Sequence, residues 1–182
     1  FCYKNNIKKI FCEKPFCSNL KEIKKISKLL SENFLITINY FRRWNEDLNF
    51  LRKKIIKKNY GIIKNVEFHY TKDLLNNGSH LIDLCFYFFG RPRNVVLLFK
   101  HKDGLSFDFI FAYKGFNVKF THIPNVQYAF IEGKIFFDNY LIHLSERFQN
   151  YAIYKKIKDS NYRNLNTLKK IESNKTRWYL SI

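Results

Sequence analysis

The sequence predicts an α+β protein: a mostly antiparallel open sheet with helices on one face, preceded by a strand, a helix and a strand of the parallel kind. Three observations carry this. Residues 1 to about 40 order themselves as short strand, amphipathic helix and buried strand, one crossover unit of a parallel sheet. The stretch "LSFDFIFAYKGFNVKFTHI" alternates apolar and polar residues about a Lys114-Gly115 turn, as an antiparallel hairpin does. Between the two lie helical segments, one opened by Asn45 and one running from Leu74 to Gly90. Residues 1–40 therefore look like the last piece of an α/β domain, and 41–182 like an α+β domain that follows it.

Element by element, "IKKIFCEKP" (Ile7 to Pro15) reads as a strand running into a loop, because Pro15 cannot continue a central strand. Asn19 and Glu22 have capping-box spacing, and Leu20, Ile23, Ile26 and Leu30 form an apolar stripe opposite Lys21, Lys24, Lys25 and Lys28. "FLITINY" (Phe34 to Tyr40) is β-branched and aromatic, hence a buried strand. A helix from Asn45 carries Glu46 and Asp47 early and Lys53, Lys54, Lys57 and Lys58 late, the order a helix dipole favours, with Gly61 as its stop. "NVEFHYTK" alternates, the Leu74 to Gly90 stretch returns to helix, and strands then dominate to about Leu144. In the hairpin, Leu105, Phe107, Phe109, Phe111 and Tyr113 share one face. The tail after Arg147 is polar and basic with weak helical signals.

Composition narrows the function classes. Apolar residues make up 46% and aromatics 19% of 182 residues, too apolar for a disordered chain even at a net charge of +18. The longest apolar runs fall short of the roughly 20 residues of a membrane span, and no signal peptide is visible, so a soluble cytoplasmic protein is expected. The chain starts "FCYKNN" and has no Met, which reads as the remainder of something longer. Cys2, Cys12, Cys17 and Cys85 form no C-x-x-C pair and have no His at zinc spacing, so free thiols are expected rather than a metal site or a disulfide framework. The positive charge is spread among Asn, Ile and Phe and comes with no nucleic-acid motif, so general basicity is favoured over a basic nucleic-acid-binding module.

Chemistry concentrates in "LLNNGSHLIDLCFYFFG". His80 and Asp83, three apart, share one side of a helix. Asn76 and Asn77 are candidate N-caps that would put His80 in the first turn, where the dipole favours a neutral, proton-accepting imidazole and Asp83 can orient the ring. On these residues alone a purely structural hydrogen-bonded pair remains the competing account. A second stretch, "FCEKPF", puts Glu13, Lys14 and Pro15 at the C-terminal end of a parallel strand, where open α/β sheets place ligands.

E-K-P, "NYFRRW" and "NNGSHLID", in this order and separation, resemble the Gfo/Idh/MocA family of NAD(P)-dependent oxidoreductases. The likeness runs through "KKNYGIIKNVEFHY" and "NNGSHLIDLCFYFFGRPRNV", and more faintly to "FIEGKIFFD". It implies a Rossmann domain, of which residues 1–40 are the closing part, and a C-terminal domain for substrate binding and homo-oligomer contact through the open sheet. It further implies hydride transfer between NAD or NADP and a hydroxyl carbon of a sugar, sugar derivative or polyol. Lys14 would lie at the nicotinamide and the substrate hydroxyl, with Glu13 and Pro15 beside it on the cofactor side. His80 would be the general base, with Asp83 supporting it from behind. Arg42 and Arg43 could meet the substrate with forked donors, or pair with Glu46 or Asp47 on the surface.

Two departures qualify the resemblance. Asn76 stands where many members carry Asp four residues before the histidine; it can bind a sugar hydroxyl but cannot share a proton, which leaves a His-only base. The six glycines include no pair two apart, so the G-x-G-x-x-G phosphate loop is absent and poor NAD(P) binding by this chain alone is expected. The rival within the same fold is a truncated, non-catalytic remnant that serves as an oligomerising or binding domain.

Overall fold

The structure, a computed structural model, describes Asn5 and residues 7–17, 19–29 and 35–175. Leu30, Phe34, Cys2 and the tail beyond Lys175, which figured in the expectations above, lie outside them. The chain divides into two units, the first running to Trp44 and the second beginning at Asn45.

The first unit holds β1 (Lys9–Glu13), α1 (Leu20–Leu29) and β2 (Leu35–Asn39), followed by a 3-10 turn, Phe41–Trp44. β1 and β2 pair in parallel with Glu13 opposite Asn39, as the crossover pattern predicts. The Asn19 side-chain oxygen accepts from the Glu22 N–H at 3.0 Å, which caps α1. Phe11, Leu20, Ile23 and Leu35 remain exposed.

The second unit holds α2 (Glu46–Ile56), β3 (Ile63–Tyr70), a π turn (Leu74–Gly78) leading directly into α3 (Ser79–Phe89), and then β4 (Asn94–Lys100), β5 (Phe107–Ala112) and β6 (Asn117–His122). β7 (Ile131–Phe137), β8 (Tyr140–Ser145), β9 (Asn150–Lys158) and β10 (Asn166–Lys175) follow. The eight strands lie in the order β10-β9-β8-β7-β3-β6-β5-β4, and every neighbouring pair is antiparallel except β3 and β6. One face is the core. Val66, Phe68 and Tyr70 alternate with half-buried Glu67 and His69, and register places Phe68 beside Phe120 and Gly133, and Ile135 beside Ile142. Leu48, Leu51 and Ile55 of α2 and Leu81, Leu84 and Phe88 of α3 belong to the same cluster. The opposite face carries Glu67 flanked by Lys119 and Lys134, with Glu132 bonded to His143 at 3.2 Å.

Three expectations are corrected. α2 is capped by Asn45, whose side chain accepts from the Leu48 N–H at 2.7 Å, but it ends at Ile56: Lys58 takes φ +56° and reverses the chain before Gly61 does. The hairpin turns at Lys114-Gly115 as predicted, yet Leu105 lies outside its strand and is exposed. The tail forms strands rather than helix. β9 and β10 pair along nearly their whole length, and this ladder, invisible to a local helix signal, decides their conformation.

Candidate functional site

β3 delivers its last residues to the site. Tyr70 is wholly buried; its hydroxyl donates to the Phe107 carbonyl at 2.7 Å, and burial pushes its pKa up to about 12, so it serves as a fixed platform and not as an acid. Thr71, also wholly buried, donates its hydroxyl proton to the Tyr128 carbonyl at 2.9 Å and accepts from the Phe130 N–H at 2.8 Å. Lys72 then takes φ +60°, which turns the chain so that the Asp73 carboxylate accepts from the Asn76 N–H at 2.7 Å.

Asp73, and not Asn76 or Asn77, therefore caps this helix. An ionised carboxylate is the stronger acceptor, and the turn at Lys72 aims it at the first free N–H groups. The Gly78 N–H reaches back to the Asp73 carbonyl at 3.3 Å, five residues away, which makes the opening turn a π turn. Such turns are frequent at functional sites. Gly78 itself packs closely: a Cβ there would sit 2.9 Å from Leu74 Cδ1 and 3.2 Å from Tyr70 Cε2.

Because the helical backbone starts at Leu74, His80 lies in its second turn, and the first-turn dipole argument does not apply. What the structure supplies instead is a buried polar stripe. Asn77, His80 and Asp83, each three residues from the next, are 7%, 7% and 8% exposed on a helix whose Leu81, Leu84, Cys85 and Phe88 are core. Asn77 also comes within 3.5 Å of the Thr71 hydroxyl. Thr71 and Asn77 are the residues sequence inspection missed as site members. Thr71 looks like an ordinary strand end, and Asn77 resembles a cap until the position of Asp73 is known. Three buried polar side chains in a row are costly unless they serve each other or a ligand. The buried thiol on this helix is no nucleophile: burial pushes Cys85 up to about 12, with its sulfur 3.3 Å from the Tyr113 hydroxyl.

In the first unit, Glu13 accepts from the Asn39 side-chain amide at 2.5 Å, which ties together the C-terminal ends of β1 and β2. Lys14 follows, half-buried, and its bond to Pro15 is cis. Arg42 is buried, with its guanidinium 4.7 Å from the Phe41 ring centroid, while Arg43 is half-buried. Among the described residues no group of three or more His, Cys, Asp or Glu could hold a metal ion, and no helix is long and apolar enough to cross a membrane.

Against solved structures, the chain is similar to a dehydrogenase from Chromobacterium violaceum (TM-score 0.72, 15% identity, 94% of this chain and 57% of that one). A levoglucosan dehydrogenase solved with NADH matches at TM-score 0.67 and 16% identity, over 88% and 53% of the two chains. The chain shares the fold of dehydrogenases. An oxidoreductase from Bacillus cereus gives the same result, at TM-score 0.63 and 18% identity over 96% of this chain and 64% of that one. In sequence, an uncharacterized oxidoreductase of Schizosaccharomyces pombe is 30% identical over 108 residues, which is 48% of this chain and 29% of that protein. The chain thus spans under a third of its curated relative. No protein-family model matches.

Proposed function

We propose that this chain is the substrate-binding part of a nicotinamide-dependent dehydrogenase of the Gfo/Idh/MocA type, acting on a hydroxyl carbon of a sugar, sugar derivative or polyol. The observation that carries the proposal is the buried Asn77, His80, Asp83 stripe above the end of β3, in a fold shared with dehydrogenases. One of those neighbours is a levoglucosan dehydrogenase.

The nicotinamide would accept or supply hydride; the residues of this chain handle the proton. The His80 imidazole takes the hydroxyl proton, Asp83 one turn on holds the ring, and the Lys14 ammonium lowers the cost of the developing alkoxide. Asn76 and the two arginines, Arg42 and Arg43, bind sugar hydroxyls. Glu13 and Pro15 fix the position of Lys14, Glu13 through its bond to Asn39.

The dinucleotide as a whole does not fit the residues present. With no two glycines two apart, the sequence supplies no glycine-rich cradle for its pyrophosphate. The exposed Phe11, Leu20, Ile23 and Leu35 are the apolar surface that further strands and helices of a Rossmann domain would cover. A second copy of the chain would in turn cover part of the open sheet, whose edge strand β4 exposes Val95 through Phe99.

The test is calorimetric and catalytic. The chain alone is expected to show no saturable NADH or NADPH binding below millimolar cofactor. Fused behind a glycine-rich dinucleotide-binding segment, it is expected to bind and to reduce NAD(P)+ with at least one member of a sugar and polyol panel. A fusion that binds cofactor yet turns over none of them would favour the non-catalytic account.

A further inference from the structure

At the far end of α3 from His80, roughly 13 Å along the helix at 1.5 Å per residue, lies a cavity that the dehydrogenase chemistry does not use. It is a cleft of about 430 Å³ between the end of α2, the end of α3 and the β5-β6 turn. Its walls are apolar. Phe89 packs edge-on against Phe116 at 5.4 Å, and Ile55 and Ile62 also line the cleft, Ile62 being 63% exposed.

Among the described residues its charged lining is two lysines, each on a backbone turn. Lys58 sits at φ +56°, its N–H bonded to the Ile55 carbonyl at 2.9 Å and its carbonyl accepting from the Gly61 N–H at 3.0 Å. Lys114 occupies the two-residue turn closed by the Tyr113 N–H on the Phe116 carbonyl at 3.0 Å. Both side chains are exposed, and neither forms an ion pair among the described residues.

We infer that this cleft binds a small anionic amphiphile, a carboxylate on a short aliphatic or aryl tail. The tail lies against Phe89 and Phe116, and the carboxylate meets Lys58 and Lys114. The volume falls within the range of small-ligand pockets, and apolar walls with a few convergent polar groups are the usual make-up of such sites. Two unpaired cations, with no carboxylate among the described lining residues, select against neutral and cationic head groups. The inference is independent of the catalytic proposal, since no residue is shared.

Octanoate titrated into the full chain, followed by amide chemical shifts, tests it. Saturable shifts are expected at Lys58 to Ile63, Phe88 to Phe89 and Lys114 to Phe116. Octan-1-ol is expected to bind about fivefold more weakly, and the Lys58→Asn, Lys114→Gln double variant to lose about fivefold in octanoate affinity, the scale of two exposed ion pairs. Both positions are exposed, so the variant keeps its melting temperature. Ile62→Ser, which weakens the apolar wall and leaves the charges in place, should also reduce affinity. Shifts that do not saturate or that map elsewhere, equal binding of the alcohol, or wild-type affinity in the double variant would each overturn the inference.

Discussion

Asp103 shows how single residues hold the site from outside it. Its carboxylate accepts from the N–H groups of Leu105 and Ser106, both at 2.9 Å, and the neighbouring Ser106 hydroxyl and these N–H groups lower its pKa from 3.8 to about 2. The turn it braces presents the Leu105 carbonyl to the Leu74 N–H at 3.1 Å, where the π turn begins. A depressed carboxyl pKa stabilises the fold above the unfolded value and ceases to do so as pH falls through the folded one. The melting temperatures of wild type and Asp103→Asn are therefore expected to differ near pH 6 and to converge between about pH 4 and pH 2; a constant gap would contradict this. That His80 and Asp83 share one side of a helix was legible because their spacing is fixed by helical geometry. The cap was not: Asp73, Asn76 and Asn77 all have capping side chains, and only the positive φ at Lys72 decides among them.

The π turn and its cap form the element on which the site depends. Asp73→Ala removes the bond to the Asn76 N–H and is expected to cost about 1 kcal/mol, the usual worth of an N-cap, read by urea denaturation. In the sheet the sensitive point is Gly133, where an added Cβ would lie 2.5 Å from Cδ1 and Cε1 of the wholly buried Phe68. That ring is held between Phe120 and Phe148, with centroids at 5.5 and 6.0 Å, so Gly133→Ala is expected to cost about 1–3 kcal/mol as overpacking; an unchanged denaturation midpoint would contradict it. Elements with their own signature were readable in sequence: α1 and α2 through Asn19 and Asn45, β3 through its alternation, β5 and β6 through Lys114-Gly115. β9 and β10 were not, because Lys155 opposite Lys169 and Lys156 opposite Leu168 carry no strand-forming pattern and owe their conformation to pairing.

For the whole molecule, the fold matches dehydrogenases over nearly the full chain while the chain spans only part of their length. Its two units carry the two halves of the proposed proton chemistry, Lys14 in the first and His80 in the second. If they serve one reaction, removing either should depress turnover more than binding, because a positioned acid, base or charge acts mainly in the transition state. The most direct measurement is steady-state turnover of the chain joined to a dinucleotide-binding segment, on whichever sugar or polyol it oxidises, comparing wild type with Lys14→Ala and His80→Ala. A fall in kcat of about a hundredfold in each, with KM changed little, is the predicted result; wild-type kcat in either variant would contradict the assignment.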